Sequence, residues 1–333
     1  MWFKNLTGFE ELSPEYVREN LIIESNAFRS KANNQTFSFG SLELPTLEQL
    51  RTIDLSQYAG KIQLTEVIAD VQDLHCDISN ENALFQVASQ FNLLEMVDAD
   101  VTPNEGVDRY EIDFTQGPAC AIACGAASIY RNYFVPINES IGQTVNQQID
   151  CLELISAQLG NQDNRLWKMK NGYVLSNTQG ILGINSKLHQ LNDAEREKLK
   201  GLLKIGIQWN AEVTLSKNKH KVSQAFCSAL PVSYNYTTEP IYWEKFARLI
   251  LEATYEATLY AGVVNMEKNH SNVVYLTLVG GGAFGNHQDW IIESIEKVLQ
   301  KFANVPLDIR FVSHSKTNPN LTQMIQNFKN IKK

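Results

Sequence analysis

The chain has 333 residues, 44% of them hydrophobic, and a formal net charge of -8, so it is long enough for a large core but too acidic for a general nucleic-acid or anionic-membrane binder. Five cysteines without a CxxC pair and six scattered histidines without HExxH point to reduced, buried thiols and against a zinc site. The opening MWFKNLTGFEEL is too polar for a secretory signal, and no apolar stretch approaches the length of a membrane span, which favours a cytoplasmic protein.

Residues 1–60 read as a helical or irregular leader punctuated by Pro14 and Pro45, with a helix over 15–24. From Ile62 the pattern changes: residues 62–68 read as a strand that closes at Ala69-Asp70, and residues 83–91 as a second strand, largely apolar as strands buried on both faces are. A polar loop over 97–116 follows, and then a helix over 118–134 whose small residues give way to aromatics. Residues 145–159 and 192–204 read as helices joined by a polar connection, and the stretch 136–222 reads as an insertion. The segment 224–231 is expected to be a strand, and 243–261 a long amphipathic helix closed by Gly262. Residues 273–279 form a central strand, 289–302 a helix with Asn286 and Asp289 as a capping pair, and 307–312 a last strand before a tail over 316–333. Strands alternating with helices predict an α/β fold whose mostly parallel sheet is covered on both faces.

Two segments share a grammar suited to phosphate. VVYLTLVGGGAFGNHQ (273–288) runs from an apolar strand through glycines into a helix start, and TQGPACAI (115–122) does the same far upstream. Glycines allow close backbone approach, and free N–H groups at a helix start can face an anion. Two such loops suggest a ligand with two phosphates. Asp70 at a strand end either accepts a hydrogen bond from an adenine amino group or caps the loop behind it. Gln90 and Asn92, past the second strand, suit a ribose diol, with an N-cap as the other role for Asn92. Glu95 and Asp113 flank the polar loop before Gln116 and are the acidic candidates for cleaving a glycosidic bond, against a plain surface role. His75, Cys76 and Arg131 read as structural.

The order of these segments resembles the macrodomain family. ALFQVASQFNLLEM (83–96), TQGPACAIACGAASIYRNYF (115–134), QIDCLELISAQLG (148–160) and LTLVGGGAFGNHQDWI (276–291) resemble in particular the divergent branch, containing a bacterial effector, whose members remove ADP-ribose from arginine side chains. The resemblance covers roughly 60–315 and implies a three-layer α/β/α fold with a mixed, mostly parallel sheet, the leader before it and the helical insertion within it; the catalytic domain would be 61–315. It assigns Asp70 and Val71 to the adenine, Gln90 and Asn92 to the distal ribose, and Gln116, Gly117 and Pro118 to the first phosphate loop. Gly281, Gly282, Ala283, Phe284, Gly285 and Asn286 would form the second loop, with Phe284 against the distal ribose. The usual NAAN and GGGG runs of macrodomains are replaced here by ASQFN and TQGP, which draws attention to Asp113 and Glu95 as the catalytic pair.

The expected activity is therefore hydrolysis of the N-glycosidic bond between ADP-ribose and a protein arginine, with no cofactor or metal required. The partner would be an ADP-ribosylated protein, in the cytoplasm or, for a secreted effector, in a host cytosol. A non-catalytic ADP-ribose reader is the alternative from another class, and a hydrolase of free nucleotide-diphosphate sugars is a third. A dehydrogenase is disfavoured because no GxGxxG follows an early strand.

Overall fold

The computed structural model describes residues 1–331. Among them, seven strands form one central sheet: β1 (Ser41–Glu43), β2 (Gln63–Ile68), β3 (Leu84–Ala88), β4 (Gly206–Glu212), β5 (Lys221–Cys227), β6 (Val273–Leu276) and β7 (Asp308–Ser313). Their spatial order is β1-β4-β5-β3-β6-β7-β2. The strands from β5 to β2 run parallel, and β4 lies antiparallel to both of its neighbours.

The flanking helices are α1 (Val71–Cys76), α2 (Gln116–Ala123), α3 (Gly125–Tyr133), α4 (Glu244–Asn269), α5 (Gln288–Lys301) and α6 (Pro319–Ile331). Successive residues of β3 assign them to faces. Phe85 stacks on His75 of α1 at 3.8 Å and on Tyr275 of β6 at 4.6 Å. Gln86, the next residue, accepts a hydrogen bond from Thr277 N–H and donates one to Thr258 of α4 at 2.9 Å. Neighbouring strand residues point to opposite faces, so α1 and α4 cover opposite sides of the sheet. The α2 helix packs beside α1, and α5 beside α4, giving the expected three-layer α/β/α arrangement with a mixed, mostly parallel sheet. No helix among the described residues is long and apolar enough to cross a membrane.

Several segments differ from their sequence reading. The expected leader holds helices at Trp2–Thr7 and Pro14–Asn20, but also an antiparallel sheet of Leu21–Glu24, Ala27–Ser30 and Thr36–Ser38, and it supplies β1 to the central sheet. The helix expected over 15–24 stops at Asn20, where β-branched Ile22 and Ile23 enter a strand that reverses at Ser25, φ 56°. Inside the expected insertion, β4 pairs with β5 in the core of the sheet; a bulge at Asn210, φ 54°, breaks the alternation that would have marked it. The helix expected over 145–159 contracts to Glu153–Gln158. Behind it come a hairpin, Lys168–Lys170 with Tyr173–Leu175, and a helix, Thr178–Gln190, that the polar reading of this stretch overlooked.

Three helix ends also move. The small-residue helix is two helices, broken at Cys124. The long helix does not stop at Gly262 but runs on to Asn269 and ends in left-handed His270. A Cβ at Gly262 would sit 2.7 Å from Val274 Cγ2, so this glycine marks close helix–sheet packing rather than a terminus. His287, not Asn286, occupies the N-cap position of α5, and it offers no side-chain cap. The tail folds as α6 and buries Leu321, Met324 and Ile325.

Candidate active site

The carboxyl ends of β3, β5 and β6 meet at a cleft that holds about 740 Å3 of non-protein space, part of it open to solvent. Its first wall is built by Gln116. The side-chain carbonyl accepts from Ala88 N–H and the amide donates to Gln86 C=O, both at 2.9 Å. One side chain thus serves the strand's end as a neighbouring strand would, and it pins the start of α2 there. Gly117 follows at a position where a Cβ would lie 2.0 Å from Ala88 O and 2.2 Å from Glu95 Oε2. No side chain caps α2, and the N–H groups of Gln116 and Gly117 meet no protein acceptor among the described residues. Pro118 has no N–H to satisfy, so the helix start presents donors without internal competition.

The second wall follows β6. Tyr255 Oη accepts from Val279 N–H and donates to Thr277 C=O, each at 2.9 Å, fixing where the strand hands over to its loop. Asn286 N–H donates to Gly280 C=O at 2.9 Å, and its side-chain amide reaches Leu230 C=O at 2.8 Å. Gly280 at φ 80° and Gly285 at φ 68° make the bends. Within the closed loop, Gly282 and Ala283 are exposed, and the N–H groups of Gly282, Ala283 and Phe284 meet no acceptor among the described residues. Two sets of free backbone donors therefore line one cleft, a chemistry matched to two adjacent phosphates.

Between them stands Glu95. Its side chain lines the cleft and is only 2% exposed, its N–H donates to Tyr110 Oη at 3.0 Å, and its Oε1 is buried without a hydrogen-bond partner. Burial pushes this carboxyl well above the ordinary carboxylate range; nearby Arg131 opposes the rise and Asp113 adds to it. Arg131 is itself buried, lies 3.7 Å over the Phe226 ring, and is lowered by burial to about 10. It donates to Leu93 C=O at 3.2 Å and to Ser128 Oγ at 3.0 Å, which makes it a structural support behind Glu95, as its sequence reading held. A buried carboxyl of raised pKa, with an unpartnered oxygen on a cleft wall, is a candidate for proton transfer.

Of the residues singled out in the sequence, the cleft brings together Gln90, Glu95, Asp113, Gln116, Gly117, Pro118, Gly282, Ala283 and Phe284. Gln90 accepts from Met96 N–H at 2.9 Å and so shapes the turn that carries Glu95. Asp113 is half-buried at the mouth and accepts from Thr115 N–H at 2.9 Å. Asn92 is placed elsewhere: it is fully buried, donating to Gln148 and accepting from Leu94 N–H, so it holds the 90–94 turn rather than the cleft. Asp70 is exposed at the end of edge strand β2, caps α1 through Gln72 N–H at 2.7 Å, and lies outside the cleft wall with Val71. Gln72 ties α1 to α2 through Ala119 C=O at 3.1 Å, which sets Asp70 beside the first loop. Gly281, Gly285 and Asn286 belong to the second loop without lining the cleft; Gly285 instead abuts Ser233, where a Cβ would meet Oγ at 1.8 Å.

The sequence reading missed two lining tyrosines. Tyr173, whose hydroxyl donates to Met96 C=O at 2.7 Å, and Tyr234 surround Phe284 with ring centroids 5.4 and 5.7 Å from it. Tyr234 follows the carboxyl end of a predicted strand, a usable signal; Tyr173 was hidden in the presumed insertion. Among the described residues no group of three His, Cys, Asp or Glu could hold a metal ion.

No protein-family model matches the chain, and neither does any curated protein sequence. Among solved structures, the chain is similar to poly(ADP-ribose) glycohydrolase from Thermomonospora curvata bound to the inhibitor ADP-HPD, at 11% identity over 96% of this chain and 97% of that one, with a TM-score of 0.45. It is similar also to poly(ADP-ribose) glycohydrolase from Deinococcus radiodurans in complex with ADP-ribose, at 9% identity over 87% of this chain and 95% of that one, with a TM-score of 0.42.

Proposed function

We propose that this chain is a macrodomain-type ADP-ribosyl hydrolase that cleaves the N-glycosidic bond between ADP-ribose and an arginine side chain of a modified protein. The observation that carries this reading is Glu95: a buried carboxyl with an unpartnered oxygen, lining a cleft whose other walls are two loops of free backbone N–H groups. The two loops take the diphosphate. Phe284 and the tyrosines beside it pack against the distal ribose, and Asp70, held beside the first loop, takes the adenine amino group. The catalytic body is residues 61–315, completed along one sheet edge by β1.

In this scheme the Glu95 carboxylate takes a proton from a water. The water oxygen bonds to the anomeric carbon as the carbon–nitrogen bond breaks, and that electron pair leaves with the guanidine. The proton on Glu95 then passes to the departing guanidine, which restores the carboxylate. A raised pKa makes Glu95 a stronger base than an ordinary carboxylate, and its charge lies where an oxocarbenium-like transition state develops. Asp113, at the mouth, positions the guanidinium, a good partner for a carboxylate fork. ADP-ribose itself is the product and ligand, and the scheme uses no cofactor.

The test is ADP-ribose release from an arginine-modified protein, beside a glutamate-modified protein and poly(ADP-ribose). Release from the arginine substrate alone supports the full reading. Release from poly(ADP-ribose) alone would retain the hydrolase and overturn the arginine linkage. Calorimetric ADP-ribose binding with no release from any of the three would leave a reader module.

A further inference from the structure

We infer that the rim of the cleft is a docking surface for the polypeptide that carries the modification, and that it selects a basic segment; this rests on the reading of the cleft as an ADP-ribosyl hydrolase site. Phe114 stands between Asp113 and Thr115, both of which line the cleft, yet it is 95% exposed. Tyr236, two residues beyond the lining Tyr234, is 90% exposed. Single exposed apolar residues are ordinary on protein surfaces, but large aromatics gathered at one cleft mouth are not.

The charge at this mouth says what they meet. The Tyr234 hydroxyl donates to Val97 C=O at 3.4 Å, and Val97, Asp113 and Tyr234 all line the cleft, so Asp98, the next residue after Val97, stands at the same mouth as Asp113. Neither Asp98 nor Asp113 has a basic side chain within ion-pair distance among the described residues, whereas Lys170 and Arg109 of nearby segments are engaged by Asp100 and Glu105. Below them, the buried, unpartnered Oε1 of Glu95 marks where the reacting centre sits. Two uncompensated carboxylates repel an anionic nucleotide, so the mouth faces the cationic end of the substrate. Guanidinium groups pair with carboxylates and stack on aromatic faces, which makes a basic polypeptide the occupant that satisfies both features.

The experiment compares the Phe114→Ser/Tyr236→Ser double variant and Asp98→Asn with the unaltered protein on three ligands: an arginine-ADP-ribosylated protein, free ADP-ribosylarginine, and ADP-ribose by calorimetry. The expected result is a KM for the modified protein raised about tenfold by the double variant, with free ADP-ribosylarginine turnover and ADP-ribose affinity unchanged. Asp98→Asn should weaken the salt dependence of KM for the modified protein. Equal losses on free ADP-ribose would show that the aromatics hold the nucleotide base, and no change on any ligand would show that they hold nothing; either overturns the proposal. If the unaltered protein binds ADP-ribose but releases none, the hydrolase reading fails separately. Docking is then read from binding alone, and a modified protein bound no more tightly than free ADP-ribose overturns it.

Discussion

Replacing Glu95 by glutamine keeps the shape of the side chain and removes its ability to take a proton. If Glu95 is the general base, turnover should fall by about 10^2- to 10^4-fold, which corresponds to roughly 3–5 kcal/mol of barrier. Stability should move the other way. Burial raises this carboxyl in the folded protein, so the folded state holds the proton more tightly than the unfolded chain does. The contribution of Glu95 to stability is therefore fully present below the ordinary glutamate pKa and is lost as pH rises through the raised value. Glu95→Gln escapes that loss, and its melting temperature should gain on the unaltered protein as pH rises above the ordinary glutamate range. The assay pairs ADP-ribose release with thermal melts across that range and with calorimetric ADP-ribose affinity, which should stay within about threefold, under 1 kcal/mol. The unaltered enzyme should also show an acidic limb, its kcat rising with pH as Glu95 ionises. Turnover within tenfold of the unaltered enzyme, or an acidic limb that persists in the variant, would refute the assignment.

Five further outcomes are expected. Asp113→Asn should raise KM for the arginine-modified protein about tenfold with a smaller effect on kcat, since the side chain positions a cation rather than moving a proton. Gly117→Ala, whose Cβ would lie 2.0 Å from Ala88 O, should lower stability by about 1–3 kcal/mol in denaturant titrations, whereas Gly282→Ala, with nothing within 4 Å, should fold normally and weaken ADP-ribose binding in calorimetry. Gln116→Leu leaves Ala88 N–H and Gln86 C=O without their partner and should cost about 1–3 kcal/mol, read as a lowered denaturation midpoint. His75 is fully buried and lowered by that burial from 6.5 to about 4, so its stabilising contribution is present above pH 6.5 and lost as pH falls toward 4. That amounts to about 3 kcal/mol, and a flatter stability profile for His75→Gln across this window would bear it out.

The parallel part of the sheet was legible because β3 and β6 are apolar runs, and β2 and β7 are short stretches rich in β-branched and apolar residues, all bounded by turn residues and separated by helices. The loop after β6 was legible for a related reason, a glycine run placed directly behind an apolar strand, whereas the start of α2, with one glycine and a helical turn at 108–112 before it, showed only as Gly117-Pro118 opening a helix. What escaped was written in weaker signals. The bulge at Asn210 erased the alternation of β4, although Asn171-Gly172, both at positive φ, is a hairpin signature that the polar composition around it obscured. The rank of the two acids could not be read at all. Glu95 and Asp113 are equally plain in sequence, and only the fold, which sets Glu95 against Gly117 and Tyr110, buries the first. Asn92 misleads for the opposite reason, since an amide near a ribose site and an amide pinning a turn look identical until the partners at Gln148 and Leu94 are known.

The short strand β1 carries a consequence for how the chain is made. Residues 41–43 pair with 207–209 and cover the outer edge of β4. They are synthesised well before the partner they pair with. Until then β1 waits without its partner, and once β4 is made β1 covers an edge that would otherwise be open to a strand from a neighbouring chain. Production from residue 61 onward would leave that edge uncovered, and such material should assemble into β-rich aggregates as its concentration rises.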